Sequence, residues 1–180
     1  MAVLQLILGP DPILKQKAAP VVSFDETLKQ KVSDMFETLY ARGALGMGAN
    51  MVGLLDQIVV IDLQENGKKA PLTLINPQIT WASEEPREHE EASLCFPGIA
   101  APVSRPASVK VEFQDMDGNT QNIEADGLLA TVLQHEIDYL NGVIYLDYLS
   151  KMKRDRLIKK MQKQLKAHSC GDPHCGHDHH

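Results

Sequence analysis

The stretch from Asp126 to Gly142 constrains the fold of this chain more than any other. Asp126 is a good helix N-cap, and Gly142 suits the left-handed position just past a helix end. Between them Leu128, Leu129, Val132, Leu133, Ile137 and Leu140 form a broad apolar stripe. A helix lying on a surface needs only a narrow stripe, so this spacing predicts a central, largely buried helix. The rest of the chain must wrap around it.

Elsewhere the pattern alternates between helix and strand. Residues 3–8 read as a strand or an extended entry, and Gly9 to Pro12 as a turn. Ser23 and Glu26 have capping-box spacing, which starts a first helix. Leu28, Val32, Met35, Phe36, Leu39 and Tyr40 follow on one face, and Gly43 ends it. A glycine-rich segment, residues 43–48, leads into a buried-looking strand at Ile58–Ile61. A further strand falls at Leu72–Ile75, while the acidic run of residues 84–91 reads as a solvated loop. Val109–Phe113 and Gln121–Glu124 alternate about an Asp117-Gly118 turn, as a hairpin does. Val143–Tyr148 reads as a short strand. A last helix from Ser150 carries Leu157, Ile158, Met161 and Leu165 on one side and mostly lysine and arginine on the other.

The pattern predicts one α+β domain over residues 1–167, with antiparallel sheets around the central helix, and a flexible tail over 168–180. With 43% hydrophobic and 23% charged residues the chain is ordinary globular material. No apolar run nears the roughly 18 residues of a membrane helix, and no basic residue precedes the short apolar start, so no secretory signal is expected. Three cysteines are too few for a disulfide scaffold, which points to the cytoplasm. A net charge of −6 gives no global attraction to nucleic acid.

The chemistry-bearing residues begin with His135-Glu136 on the central helix. In a His-Glu-x-x-His helix the two imidazoles share a face, bind one metal, and leave the Glu as base. Here the second position is Tyr139. The run Gln134-His-Glu-Ile-Asp-Tyr-Leu-Asn-Gly142 strongly resembles the metal-binding helix of peptide deformylases, whose pattern is Gln-His-Glu-x-Asp-His-Leu-x-Gly. Two more motifs of that family occur in order. Glu91-Ala-Ser-Leu-Cys-Phe-Pro-Gly98 is similar to Glu-Gly-Cys-Leu-Ser-x-Pro-Gly, with Ser93 in the ligand cysteine's place, Cys95 two residues later, and Arg105 beyond. Ala44-Leu-Gly-Met-Gly-Ala-Asn-Met51 is similar to the family's Gly-rich segment, with Met51 where the catalytic Gln stands.

The resemblance covers roughly residues 3–166. It implies the peptide deformylase fold: antiparallel sheets around the helix carrying His135-Glu136, plus a C-terminal helix. In the family, one Cys and two His hold a metal such as Fe, Ni or Zn, and the Glu moves the proton. The Gln and a backbone N–H stabilise the oxyanion, and the products are formate and a free amine. Here His135 and Glu136 remain. Ser93 is a neutral hydroxyl. Tyr139 ligates only as a phenolate, with an ordinary pKa of about 10. Met51 cannot donate a hydrogen bond. The expected domain is therefore metal-free, with Tyr139 placing its hydroxyl near His135 and Cys95 as the one candidate to rescue a site. The resemblance also puts Leu45, Gly46, Leu94 and Arg105 on the substrate-binding surface.

Three functions stay open on these residues. The leading one is a binding module for N-terminal formyl-Met or Met peptides, with hydrolysis lost or severely reduced. The second is a working deformylase with atypical ligands. The third is metal binding or delivery by the tail, where His168, Cys170, His174, Cys175, His177, His179 and His180 offer seven ligands to Zn, Ni or Cu. The basic last helix fits a ribosomal RNA contact, as the family resemblance also implies.

Overall fold

The computed structural model describes residues 2–169. Its backbone is a five-stranded antiparallel sheet in the order β1-β2-β3-β6-β7, a separate β4–β5 pair, and three helices. Helix α1 (Glu26–Arg42) starts later than the Ser23 capping box suggests. Asp25 is the N-cap, and its carboxylate accepts the Leu28 N–H at 3.0 Å. A full negative charge at the positive end of the helix makes Asp25 the stronger cap. Gly43 ends the helix at φ 64°, a left-handed conformation that glycine adopts without strain.

Strand β1 (Gly46–Gly48) runs antiparallel to β2 (Ile58–Ile61), with a short 3-10 turn, Ala49–Val52, after β1. β2 pairs with β3 (Leu72–Ala82), which continues well past the expected Ile75. β6 (Ser108–Gln114) and β7 (Thr120–Asp126) form the expected hairpin.

The acidic run is not a solvated loop. Residues 86–93 form β4 (Pro86–Ser93), paired antiparallel with β5 (Phe96–Pro106). Glu88 and Glu90 face solvent, whereas Glu91 is buried. The net charge of the run hid this alternation, which is the mark of a half-buried strand.

Helix α2 (Gly127–Leu140) is the central element foreseen. Ala130, Leu133, Ile137 and Leu140 pack against Val59, Ile61, Leu74, Val109 and Val111 of the large sheet. A second core gathers Ile58 and Val60 with Leu28, Val32, Met35 and Leu39 of α1, and with Phe96, Tyr139 and Tyr145. β2 is thus buried on both faces. Residues 145–148 form a 3-10 turn rather than a strand; Tyr145 and Leu146 are buried in succession, which an alternating strand does not allow. Helix α3 (Lys151–Ser169) anchors through Met161, with Leu157 and Ile158 partly buried, while Leu165 is largely exposed. His168 lies on α3, so the helix runs into the expected tail. Cys170, His174, Cys175, His177, His179 and His180 lie outside the described residues.

Candidate active site

The face of α2 turned from the large sheet carries two rows at four-residue spacing: Leu128, Val132 and Glu136, and beside them Thr131, His135 and Tyr139. Residues so spaced stack one above another on a helix. Across from them lies β1, brought close because Gly46 lacks a side chain. A Cβ there would sit 2.7 Å from Val132 Cγ1 and 3.0 Å from Glu136 Oε1. β4 and its turn close the third side. The space enclosed is a cavity of about 510 Å³ with Leu45, Gly46, Met51, Leu94, His135 and Glu136 among its lining. The expected site residues Ser93 and Glu136 therefore share one cavity with three of the four residues assigned to substrate.

Arg105 is the fourth, and it does not line the cavity. It is only 4% exposed. Its Nε and Nη2 donate to Glu91 Oε2 and Oε1 at 2.7 and 3.0 Å, and its Nη1 donates to Asp138 Oδ2 at 2.7 Å. The guanidinium also lies 4.6 Å from the Tyr148 ring centre. Each of its three nitrogens donates to a protein oxygen, so Arg105 ties β5 to β4 and α2.

Glu91 is the partner that sequence reasoning did not assign to the site. Its Oε1 lies 2.6 Å from His135 Nδ1. Burial alone would push its carboxyl up, but hydrogen bonds from His135 and Arg105 and the arginine charge hold it below its ordinary value. An ionised Glu91 accepts, so the network assigns a proton to Nδ1. The signal was present in the sequence as one glutamate aligned with the family motif, masked by the acidic run around it.

Ser93 and Tyr139 are the residues that the motif resemblance aligns with two of the family's ligands. Their hydroxyl oxygens are 2.5 Å apart, in hydrogen-bond contact with each other. The Tyr139 hydroxyl, expected near His135, makes its hydrogen bond with Ser93; the Tyr139 and His135 rings stand in a tilted contact, 5.4 Å between centres. Tyr139 is 0% exposed, and burial lifts its phenol well above the usual range. It is a neutral hydroxyl rather than an anionic ligand.

Cys95 sits in the tight turn between β4 and β5, fully buried. Its backbone N–H donates to Ser93 Oγ at 3.2 Å. Burial, with the Glu136 charge adding to it, pushes the thiol up to about 12, so it stays protonated. Met51, which the motif resemblance aligns with the family's Gln, is 2% exposed and presents a thioether. Among the described residues no group of three or more His, Cys, Asp or Glu side chains is arranged to hold a metal ion.

Glu136 is the site's unbalanced group. It is 4% exposed, and its Oε2 has no hydrogen-bond partner. Burial raises its pKa, against the pull of the neighbouring His135 and of a bond from the Gly48 N–H.

The comparisons agree with this architecture. The chain matches the Polypeptide deformylase family over residues 3–155. It is 48% identical to a "Peptide deformylase-like" protein of Rickettsia conorii over 164 residues, 91% of this chain and 90% of that one. It is also 48% identical to a peptide deformylase of Brucella suis, covering 91% and 94% of the two chains. A peptide deformylase structure from Legionella pneumophila superposes with a TM-score of 0.89 at 35% identity, over 96% of this chain and all of the other. One from Ehrlichia chaffeensis gives 0.85 at 37% identity, over 91% and 97%. Identity at this level along nine-tenths of both chains, with the same fold beneath it, leaves a single assignment: the chain belongs to the polypeptide deformylase family.

Proposed function

We propose that this chain binds N-terminal methionyl peptides in the cavity above α2 and has lost most or all hydrolysis of the formyl group. The observation that carries the reading is the Ser93–Tyr139 contact. Two positions that ligate metal in the family are spent on each other as neutral hydroxyls. A divalent metal wants thiolate, imidazole or carboxylate donors. The donor set here does not fit one: His135 offers a single nitrogen, Cys95 is held as a thiol, and Tyr139 as a phenol. Without a Gln at Met51 the oxyanion also lacks a side-chain donor, a loss of roughly 100- to 1,000-fold in comparable enzymes. The cavity itself supports peptide binding, because it keeps an open volume lined by Leu45, Met51, Leu94 and Val132. The name of the Rickettsia relative, "Peptide deformylase-like", accords with a departure from the parent activity.

The exposed lysines of α3, Lys151, Lys153, Lys159, Lys160 and Lys163, support a contact with ribosomal RNA as part of the same proposal. Among the described residues no helix is long and apolar enough to cross a membrane.

The test is formyl-Met-peptide hydrolysis by the full chain with Fe, Ni or Zn supplied, beside calorimetric titration with the same peptide. Binding without turnover is expected. Turnover at the rate of an ordinary deformylase would overturn the proposal and establish the atypical-ligand enzyme.

A further inference from the structure

Strand β4 and helix α2 run side by side in step. Ser93 meets Tyr139, and Glu91 meets His135, through their side chains. Farther along, a Cβ at Gly127 would lie 3.2 Å from Arg87 Nη1. Two strand residues advance about 6.6 Å and four helical residues about 6.0 Å, so the two elements keep register over this length. The register places His89 level with Thr131, and both line the cavity.

These pairs differ in what they leave for a ligand. Glu91 and His135 are bonded to each other at 2.6 Å, and Ser93 and Tyr139 at 2.5 Å. Arg87 is exposed and outside the cavity lining. Among the described residues the His89 ring has no hydrogen-bond partner, and neither of its nitrogens is sealed from solvent. In either protonation state that ring presents at least one N–H donor. The Thr131 hydroxyl donates back to the Gly127 carbonyl at 3.4 Å, which leaves its oxygen able to accept.

A peptide end group held over His135 and Glu136 leaves the first side chain to run along α2, past Val132 toward Leu128. His89 and Thr131 flank that path. A methionine side chain there covers the His89 N–H with a thioether, which is only a weak acceptor. A donor that loses water and gains no partner is costly. Methionine sulfoxide keeps the same length and the same apolar stem, and its S=O oxygen is a strong acceptor. We propose that His89, with Thr131 beside it, forms a polar subsite that makes the cavity prefer an N-terminal methionine sulfoxide over methionine, the His89 N–H donating to the sulfoxide oxygen. This rests on the peptide-binding reading above and adds the ligand class: peptides whose first residue has been oxidised at sulfur, the product of a methionine oxidation reaction.

The experiment is calorimetric titration of the full-length chain with formyl-Met-Ala-Ala and with the same peptide oxidised to the sulfoxide. The sulfoxide peptide is expected to bind about three- to tenfold tighter, the scale of one net hydrogen bond. In His89→Leu the ratio is expected to fall to about one or below, because the apolar wall then favours the thioether. In His89→Gln, whose amide still donates, the preference is expected to remain. A sulfoxide peptide binding the unmodified chain no tighter than the methionine peptide overturns the inference and leaves the peptide-binding reading standing. No binding by either peptide overturns both. An unchanged ratio in His89→Leu, with its fold checked by a melting curve, overturns the assignment of His89, and so does a preference lost equally in His89→Gln. The comparison on the unmodified chain decides the sulfoxide preference without the variants.

Discussion

The hydroxyls of Ser93 and Tyr139, 46 residues apart in the chain, lie 2.5 Å from each other between the β4–β5 turn and α2. Tyr139→Phe removes that bond while the half-buried Ser93 hydroxyl keeps the Cys95 N–H, and about 0.5–1.5 kcal/mol of stability is expected to be lost in urea melts. The Ser93→Ala/Tyr139→Phe pair is expected to cost less than the sum of the single changes, because the bond the two share is lost only once.

Restoring the family's ligands is expected to restore a metal site. Ser93→Cys with Tyr139→His supplies a thiolate and an imidazole beside His135, so the variant is expected to take up one more equivalent of zinc than the unmodified chain. Adding Met51→Gln is expected to raise formyl-Met-peptide hydrolysis by roughly 100-fold over the double variant, as one oxyanion donor does. Metal analysis and a formate assay read the two effects. No gain in metal would show that the cavity geometry itself has drifted.

Arg105 is expected to matter for stability and not for ligand choice. Arg105→Met strands Glu91 in a buried position, at a cost of about 3–5 kcal/mol. Arg105→Lys is expected to fall between, since an ammonium cannot form the paired bonds that the guanidinium makes with Glu91. Denaturant titration orders the three proteins; equal midpoints would contradict the structural role.

Acid is expected to weaken the fold through Glu91. Its carboxyl titrates below its ordinary 4.5, so the unfolded chain binds the proton more readily than the folded one. The stability it contributes is present above the ordinary value and is lost as pH falls from there through the folded value. Glu136, shifted upward, contributes in the opposite sense, favouring the folded state more at low pH than at high. Thermal melts of Glu91→Gln against the unmodified chain isolate the first effect: the gap between them is expected to narrow as the pH drops below about 4.5.

Glu136→Gln is expected to raise the melting temperature at neutral pH by about 2–4 °C, the shift that ~1 kcal/mol produces in a chain of this size. It removes a buried ionisable group with an unpartnered oxygen and leaves an acceptor for the Gly48 N–H. A fall in melting temperature would mean that the carboxyl stabilises the fold.

The Cys/His-rich tail is expected to carry most of the metal affinity of the unmodified chain. Deleting residues 170–180 is expected to abolish stoichiometric zinc or nickel binding in calorimetry while leaving the melting curve unchanged. Binding must displace protons from the tail's imidazoles and thiols, so in the intact chain it is expected to weaken as pH falls toward about 6.5. Retained binding after the deletion would assign the metal to the domain.

By itself the sequence determined the frame. Helix α2 was legible because its apolar spacing, Asp126 and Gly142 all agree, and the β6–β7 hairpin because alternation and the Asp117-Gly118 turn coincide. The ordered motifs also placed Met51, Ser93 and His135-Glu136 as one site, since spacing between motifs survives when single residues change. Tertiary structure decided the pairings. That Glu91 is buried under Arg105 while Glu90 faces solvent depends on β5 lying alongside β4, and charge composition carries no record of that neighbour. That Tyr139 turns to Ser93 rather than His135 depends on where the β4–β5 turn rests against α2. The Cys95 thiol stays neutral because the fold excludes water from it. Periodicity is a property of one element and can be read along the chain; partnership between side chains is a property of two, and exists only once they are packed.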